Sequence, residues 1–281
     1  MKKIFLVLLV ASFLLVSCNA EPSQTNDLLL VSTTSTQDSG LLDILLPAFT
    51  AKTGYDVRLI AAGSGQALKL GEQGNADVIL LHSPSAEKEF VANGFGVDRR
   101  LVMHNDFVIV GPPSDPAALR TQPTLDSVFE AIFSAEATFV SRGDESGTHV
   151  KELELWKNAG LDPVGQDWYL ETGQGQGATL SIASEKGAYA LTDHGTFLAY
   201  QSNVDLEILV EGYPFLLNVY HVITVNPEKF PDINLNGAKT FADFITSPEG
   251  QKIIGEFGVE QYGQPLFFPD ADKTDAELGL P

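Results

Sequence analysis

One cysteine in 281 residues excludes an intrachain disulfide and a thiolate zinc cluster. Basic residues are also few: 17 Lys and Arg stand against 37 Asp and Glu, a formal net charge of −20. That balance argues against nucleic acid, which demands a basic footprint on its phosphates, and against electrostatic attraction to anionic lipid. The five histidines (His82, His104, His149, His194, His221) form no HxH, HExxH or HxxxH pair, so neither a metal centre nor a cofactor is expected. Apolar residues are plentiful at 44%, enough at this length for two ordinary domains with cores of their own.

Met1-Lys2-Lys3 is a basic start, and residues 4–16 run apolar with only Ser12 interrupting. That run is too short for a membrane helix, which needs about 20 residues, and it suits a signal peptide at 1–17. It ends in Leu15-Val16-Ser17-Cys18, which resembles a bacterial lipobox. Cleavage before Cys18 and lipidation of its thiol are expected, with residues 18–26 as a polar tether. The protein is then extracytoplasmic and touches the membrane through its lipid alone. Losing Lys2 and Lys3 leaves 15 basic against 37 acidic residues, a net of −22.

The remaining chain repeats one unit: an apolar strand, a loop of small polar residues, an amphipathic helix. Strands are predicted at 28–31, 57–61, 76–81, 106–110, 138–140, 167–170, 188–191, 207–210 and 220–225. Helices follow Ser39-Gly40 (in two pieces, Pro47 opening the second), Gly65 as far as Gly71, Ser83-Pro84, Thr148 as far as Gly160, Gly177 as far as Gly187, and Thr196. Two more span 124–133 and 240–257, with Pro248 opening a second piece of the latter. This alternation predicts an α/β fold of mostly parallel, doubly wound sheets flanked by helices, and the length fits two such lobes.

Open parallel sheets bind ligands at the carboxyl ends of strands, where helices begin. Five such places share one chemistry: Ser32-Thr33-Thr34-Ser35-Thr36, Gly63-Ser64-Gly65, Ser146-Gly147-Thr148, Gly175-Gln176-Gly177 and Thr192-Asp193-His194-Gly195-Thr196. Helix-start N–H groups are unpaired donors with a positive partial charge, glycine admits a ligand close to the backbone, and hydroxyls add donors. Together they describe an anion site. Any one such loop is also what an ordinary helix cap looks like; five after five strands point to a shared site. Arg142 is the one cation beside these loops. The candidate donors are Thr34, Ser35, Ser64, Arg142, Ser146, Gly147, Thr148, Gly177 and Thr192. Both lobes contribute, so binding is expected to close a cleft.

An enzyme reading is weaker. Ser85-Ala86-Glu87-Lys88 fits the SxxK pattern of penicillin-recognising serine enzymes and Lys52-Thr53-Gly54 fits their KTG pattern. Their order is reversed, no Ser-Asp-Asn lies between them, and no GxSxG elbow exists. A hydrolase using Ser85 and Lys88 is the alternative of another class, and no enzymatic activity is expected.

The run Ser32-Thr33-Thr34-Ser35-Thr36-Gln37-Asp38-Ser39-Gly40-Leu41-Leu42 resembles the opening of tungstate-binding proteins of ABC importers. Ser141-Arg142-Gly143-Asp144-Glu145-Ser146-Gly147-Thr148-His149 and Leu191-Thr192-Asp193-His194-Gly195-Thr196 resemble that family's two further signatures. The resemblance spans nearly all of the mature chain. It implies a two-lobed type II periplasmic binding protein, lobe 1 from 27–106 plus 215–281 and lobe 2 from 107–214. Such a protein, a monomer, would close on a tetrahedral oxyanion and deliver it to a permease and its ATPase.

Two positions depart from the pattern: Ser32 stands where Thr is expected and His194 where Arg is expected. Molybdate has nearly the size and charge of tungstate. The spacing of Arg142, Ser146, Gly147 and Thr148 also resembles phosphate-binding relatives. Phosphate keeps a proton near neutral pH and needs a buried acceptor, for which Asp38, Asp77, Asp144 and Asp193 are the candidates.

Overall fold

A computed structural model describes residues 26–280. The expected signal peptide at 1–17, Cys18 and all of the tether but Asn26 lie outside the described residues. The first half of the chain runs β1 (Asp27–Thr33), α1 (Thr34–Asp38), α2 (Leu41–Thr53), β2 (Asp56–Ala62), α3 (Ser64–Glu72), β3 (Val78–Leu81), α4 (Pro84–Ala92), β4 (Gly96–Gly111) and α5 (Leu125–Ser134). Then come β5 (Phe139–Ser141), α6 (Gly147–Asn158), β6 (Tyr169–Glu171), α7 (Gln176–Lys186), β7 (Ala190–Asp193), α8 (His194–Tyr200) and β8 (Glu207–Val210). The chain ends with β9 (Leu217–Val225), α9 (Leu235–Ile245), α10 (Pro248–Glu256), α11 (Val259–Tyr262) and β10 (Phe268–Pro269).

The fold is α/β, as the alternation predicts. In the first lobe β1 pairs in parallel with β2 and β3. Alternate residues point to opposite faces of a strand, and the two cores follow that rule. Leu28, Leu30, Val78 and Leu80 pack with Leu42, Phe49 and Phe241 on one face, while Val31, Ile79 and Leu81 pack with Ala67 and Phe90 on the other. Cover on both faces is why β3 reads as an unbroken apolar run. The second lobe repeats the device. Phe107 and Ile109 join Phe129, Phe139 and Trp156, while Val108 and Val110 join Val140, Leu180 and Phe197. There β5 pairs in parallel with β6, and Phe139 bridges in parallel to Tyr189 just before β7.

β4 joins the lobes. From Gly96 to Asp106 it pairs antiparallel with β9, and from Phe107 onward with β7 and β8. β9 is also antiparallel to β3, so the parallel cores carry antiparallel strands on the side where the chain crosses over.

Several elements differ from the expected ones. β4 begins ten residues earlier than the strand expected at 106, because Asp98, Arg99, Arg100 and His104 mask its pattern. Those charges are satisfied across the fold, Arg99 by Glu87 and Asp275, Arg100 by Asp243, and His104 by Asp270. α2 is one helix with Pro47 inside it. Pro47 cannot donate to the Asp43 carbonyl, but Asp43 is exposed to water, and the buried stripe Leu41, Leu42, Leu45 and Phe49 holds the helix together. α3 runs one residue past Gly71, and α9 starts at Leu235, capped by the Asn234 side chain. No helix among the described residues is long and apolar enough to cross a membrane.

Candidate functional site

Three strand ends of the first lobe converge. β1 delivers Thr33, whose extended backbone and side chain cap α1: its Oγ1 accepts the Thr36 N–H at 3.2 Å. Thr34 and Ser35 are the first two residues of α1. β3 delivers His82, whose Nε2 lies 3.2 Å from Thr33 Oγ1 and 3.3 Å from Ser35 Oγ. Its ring packs on Tyr220 of β9 at 4.8 Å between centroids. Burial, with the Arg142 charge nearby, pushes the His82 pKa down to about 4, so the imidazole is neutral at pH 7. β2 leads through Gly63 to Ser64, the first residue of α3.

The second lobe supplies the opposing wall. Arg142 follows β5 and is 5% exposed. Its Nε donates to Asp144 Oδ2 at 3.0 Å, and its Nη2 donates to the same oxygen. Asp144 Oδ1 accepts the Ser146 N–H at 3.2 Å. Burial opposes the charge of Asp144, but Ser146 and the guanidinium outweigh it and hold the carboxyl below its ordinary range. Ser146 then caps α6, its Oγ accepting the His149 N–H at 3.3 Å. The N–H groups of Gly147 and Thr148, first in the helix, have no intrahelical acceptor.

The two walls touch at Gly147. A Cβ placed there would stand 2.6 Å from His82 Cε1, 3.1 Å from His82 Nδ1 and 3.2 Å from Ser64 Oγ. Both His82 Nδ1 and Ser64 Oγ are buried without a hydrogen-bond partner. Two orphaned polar atoms therefore face the start of a twelve-residue helix, with a buried guanidinium nearby. An unmet polar atom costs about 1–3 kcal/mol, so this is where a ligand with several acceptor oxygens gains most.

Ser64, His82 and Gly147 line a cavity of about 540 Å³ between the lobes, whose outer wall includes Leu68, Phe107, Val150 and Phe215. Leu278, Gly279 and Leu280 flank it. The C-terminal segment is tied there by Asp275, which accepts from Arg99 at 2.9 Å and pairs with His221 at 3.0 Å.

Thr192 is buried in β7 with its hydroxyl donating to the Asp193 carbonyl at 3.1 Å. Gly177, second in α7, lies against the Tyr200 ring of α8, leaving no room for a side chain. Ser32 donates to the Leu80 carbonyl at 2.9 Å and ties β1 to β3. His194 opens α8 with its Nε2 3.5 Å from Gln264 Nε2, at the surface. Ser85 is exposed, and Lys88 is paired with Asp275 at 3.4 Å. No group of His, Cys, Asp or Glu suited to a metal ion occurs among the described residues.

Sequence reasoning passed over His82. Its signal was a polar residue directly after four buried apolar ones and directly before Ser83-Pro84, the same strand-to-helix position as the other loops.

Two lobes of strand–loop–helix units meeting at helix N-termini define a periplasmic binding protein, and a PBP superfamily domain profile matches residues 19–249. The tungstate-binding protein TupA of Peptoclostridium acidaminophilum is 49% identical over 248 residues, covering 88% of this chain and 86% of its own. The solved TupA from Desulfovibrio alaskensis superposes with a TM-score of 0.78 at 45% identity, over 87% of this chain and 99% of that one. The tungstate ABC transporter structure from Geobacter sulfurreducens gives 0.75 at 50% identity, over 82% and 98%. The chain belongs to this family of tungstate-binding proteins. Its relatives are binding proteins of transport systems and not enzymes.

Proposed function

We propose that this chain captures tungstate as a bare tetrahedral dianion, without a cofactor, and delivers it to an ABC permease driven by its ATPase. The observation that carries the reading is the convergence of Ser64 Oγ and His82 Nδ1, buried and unpartnered, on the first turn of α6 beside Arg142. Thr34, Ser35, Ser64, Arg142, Ser146, Gly147 and Thr148 are the donors. Gly177, near the start of α7, and Thr192, in β7, are the remaining proposed contributors to the site.

The carboxylates favour tungstate over phosphate. A phosphate that keeps a proton needs a free buried acceptor. Asp77 accepts from Leu29 N and Asn234 N, each at 2.7 Å. Asp144 is engaged by Arg142 and Ser146, and Asp193 by the Thr196 N–H and hydroxyl. Each oxygen of these three carboxylates already accepts from the protein, and Asp38 is exposed.

Lobe 1 comprises residues 27–106 plus 215–281 and lobe 2 residues 107–214. The change of β4's partners at Asp106 and Phe107 supports that division. Cys18 carries the lipid that keeps the protein, as a monomer, at the outer face of the membrane. Calorimetry of the mature chain against tungstate, molybdate, sulfate and phosphate tests the reading. One tungstate per chain, without turnover, is expected; no heat with tungstate, or tighter binding of phosphate, refutes it.

A further inference from the structure

His82 stands outside the expected donor set and at the centre of it. It is 7% exposed, its ring packs on Tyr220, and burial, with Arg142 adding to it, disfavours a charge on it. Its Nε2 lies within reach of two hydroxyls, Thr33 Oγ1 at 3.2 Å and Ser35 Oγ at 3.3 Å. Thr33 Oγ1 already accepts the Thr36 N–H and lies 2.6 Å from Thr36 Oγ1. A hydroxyl has two lone pairs and one proton, so with Thr36 Oγ1 donating to its second lone pair Thr33 has its proton left to give. Nε2 is the acceptor for it. In a neutral ring with an accepting Nε2, the proton sits on Nδ1. Nδ1 is the atom left without a partner, on the ring edge that faces Gly147.

We propose that His82 is a neutral donor to the bound oxyanion: its Nδ1–H joins Ser64 Oγ and the first N–H groups of α6 around the same ligand. The hydroxyls of Thr33 and Ser35 hold the ring in that tautomer. A neutral donor adds a hydrogen bond without a titrating charge, and with its proton on Nδ1 it cannot accept the proton of an anion that keeps one, so it also contributes to selectivity. The inference rests on the oxyanion reading above and adds one residue and one tautomer to it.

Nitrogen-15 NMR of the full mature chain loaded with tungstate tests it directly. Long-range proton–nitrogen correlations, assigned by the signal lost in His82→Asn, are expected to show Nδ1 protonated and Nε2 bare, with a slowly exchanging Nδ1–H. A protonated Nε2 overturns the proposal. Calorimetry with tungstate gives the second arm. The amide of Asn places a donor near Nδ1 and that of Gln near Nε2. His82→Asn is expected to stay within about tenfold of wild type, and His82→Gln and His82→Leu to lose about 10- to 100-fold. Gln equal to wild type, or Asn no better than Leu, overturns the proposal. A wild-type chain that binds one tungstate while His82→Leu binds it equally well overturns this inference alone; a wild-type chain that binds none overturns both readings.

Discussion

Replacing Arg142 with Gln removes the one guanidinium at the cleft and leaves its partner behind. Asp144 takes the Nε hydrogen and one Nη2 hydrogen of Arg142, which leaves the Nη1 pair and one Nη2 hydrogen for a ligand. The fork can therefore hold its carboxylate and present two N–H groups to an anion at once, a task that a lysine ammonium performs poorly. Without it, a dianion meets an unpaired Asp144 whose side chain is only 20% exposed. The loss thus combines missing hydrogen bonds with new repulsion. Truncating one partner of a buried charged pair costs about 2–5 kcal/mol, or about 30-fold to several thousand-fold in affinity. A surface pairing of Arg142 with Asp144 would be worth only about 0–1 kcal/mol, and the burial of the guanidinium argues against that value.

Tungstate titration by calorimetry, with circular dichroism to confirm the fold, measures this. Arg142→Gln is expected to be severe and Arg142→Lys intermediate. Adding Asp144→Asn to Arg142→Gln removes the orphaned carboxylate and is expected to restore about tenfold, roughly 1.4 kcal/mol. Near-wild-type affinity in Arg142→Gln refutes the site. A double variant no better than Arg142→Gln refutes the role given to Asp144.

Three further outcomes follow from other parts of the structure. Gly147→Ala places a methyl 2.6 Å from His82 Cε1 and should obstruct lobe closure, weakening tungstate by about 10- to 100-fold, equal to roughly 1–3 kcal/mol of overpacking; unchanged affinity means the walls do not meet there. Burial raises Glu152 to about 7 and lowers His82 to about 4, so stability from Glu152 falls as pH rises from 4.5 to 7, and stability from His82 falls as pH drops from 6.5 to 4. The two trends oppose each other, and Glu152→Gln should lose about 3 kcal/mol relative to wild type between pH 7 and pH 4.5, read from urea midpoints; parallel pH profiles contradict this. Cys18→Ser should free the protein from the membrane without changing anion affinity, and mass spectrometry that still finds lipid on the Ser variant would remove the anchor assignment.

The loops were legible because each strand end hands over to a helix through hydroxyls and glycines, and that local grammar needs no partner to be read. Ser146-Gly147-Thr148 and Ser64 fall where it placed them, at the first turns of α6 and α3. His82 was not legible, since its neutrality comes from burial, with Arg142 nearby, and its neighbours Thr33, Ser35 and Tyr220 are distant in sequence. The first half of β4 was hidden for a related reason. Its charges look like a solvated loop until Glu87, Asp243, Asp270 and Asp275 are brought opposite them. Likewise the choice between tungstate and phosphate turns on whether three aspartates have free oxygens, and donors 2 to 157 residues away engage them.

A chain with a net charge of −20 that captures a dianion must separate attraction in the site from repulsion outside it. The cavity mouth carries Glu145 and Glu154 against Lys151, so it does not reverse the long-range field. Inside, the donors are short-range: hydroxyls, helix-start N–H groups and a guanidinium half-committed to Asp144. Salt should act on these two regimes differently. Between about 0.01 M and 0.15 M the Debye length shortens from about 30 Å to about 8 Å, which screens the approach but leaves contacts in a closed, desolvated cleft almost untouched. The association rate of tungstate is therefore expected to rise a few-fold with added salt while the dissociation rate stays constant, so affinity improves modestly. Stopped-flow measurement with potassium chloride, whose anion is a poor tetrahedral mimic, tests this. An association rate that falls with salt would mean that a basic entrance steers the anion, and the separation of field from site drawn from these residues would be wrong.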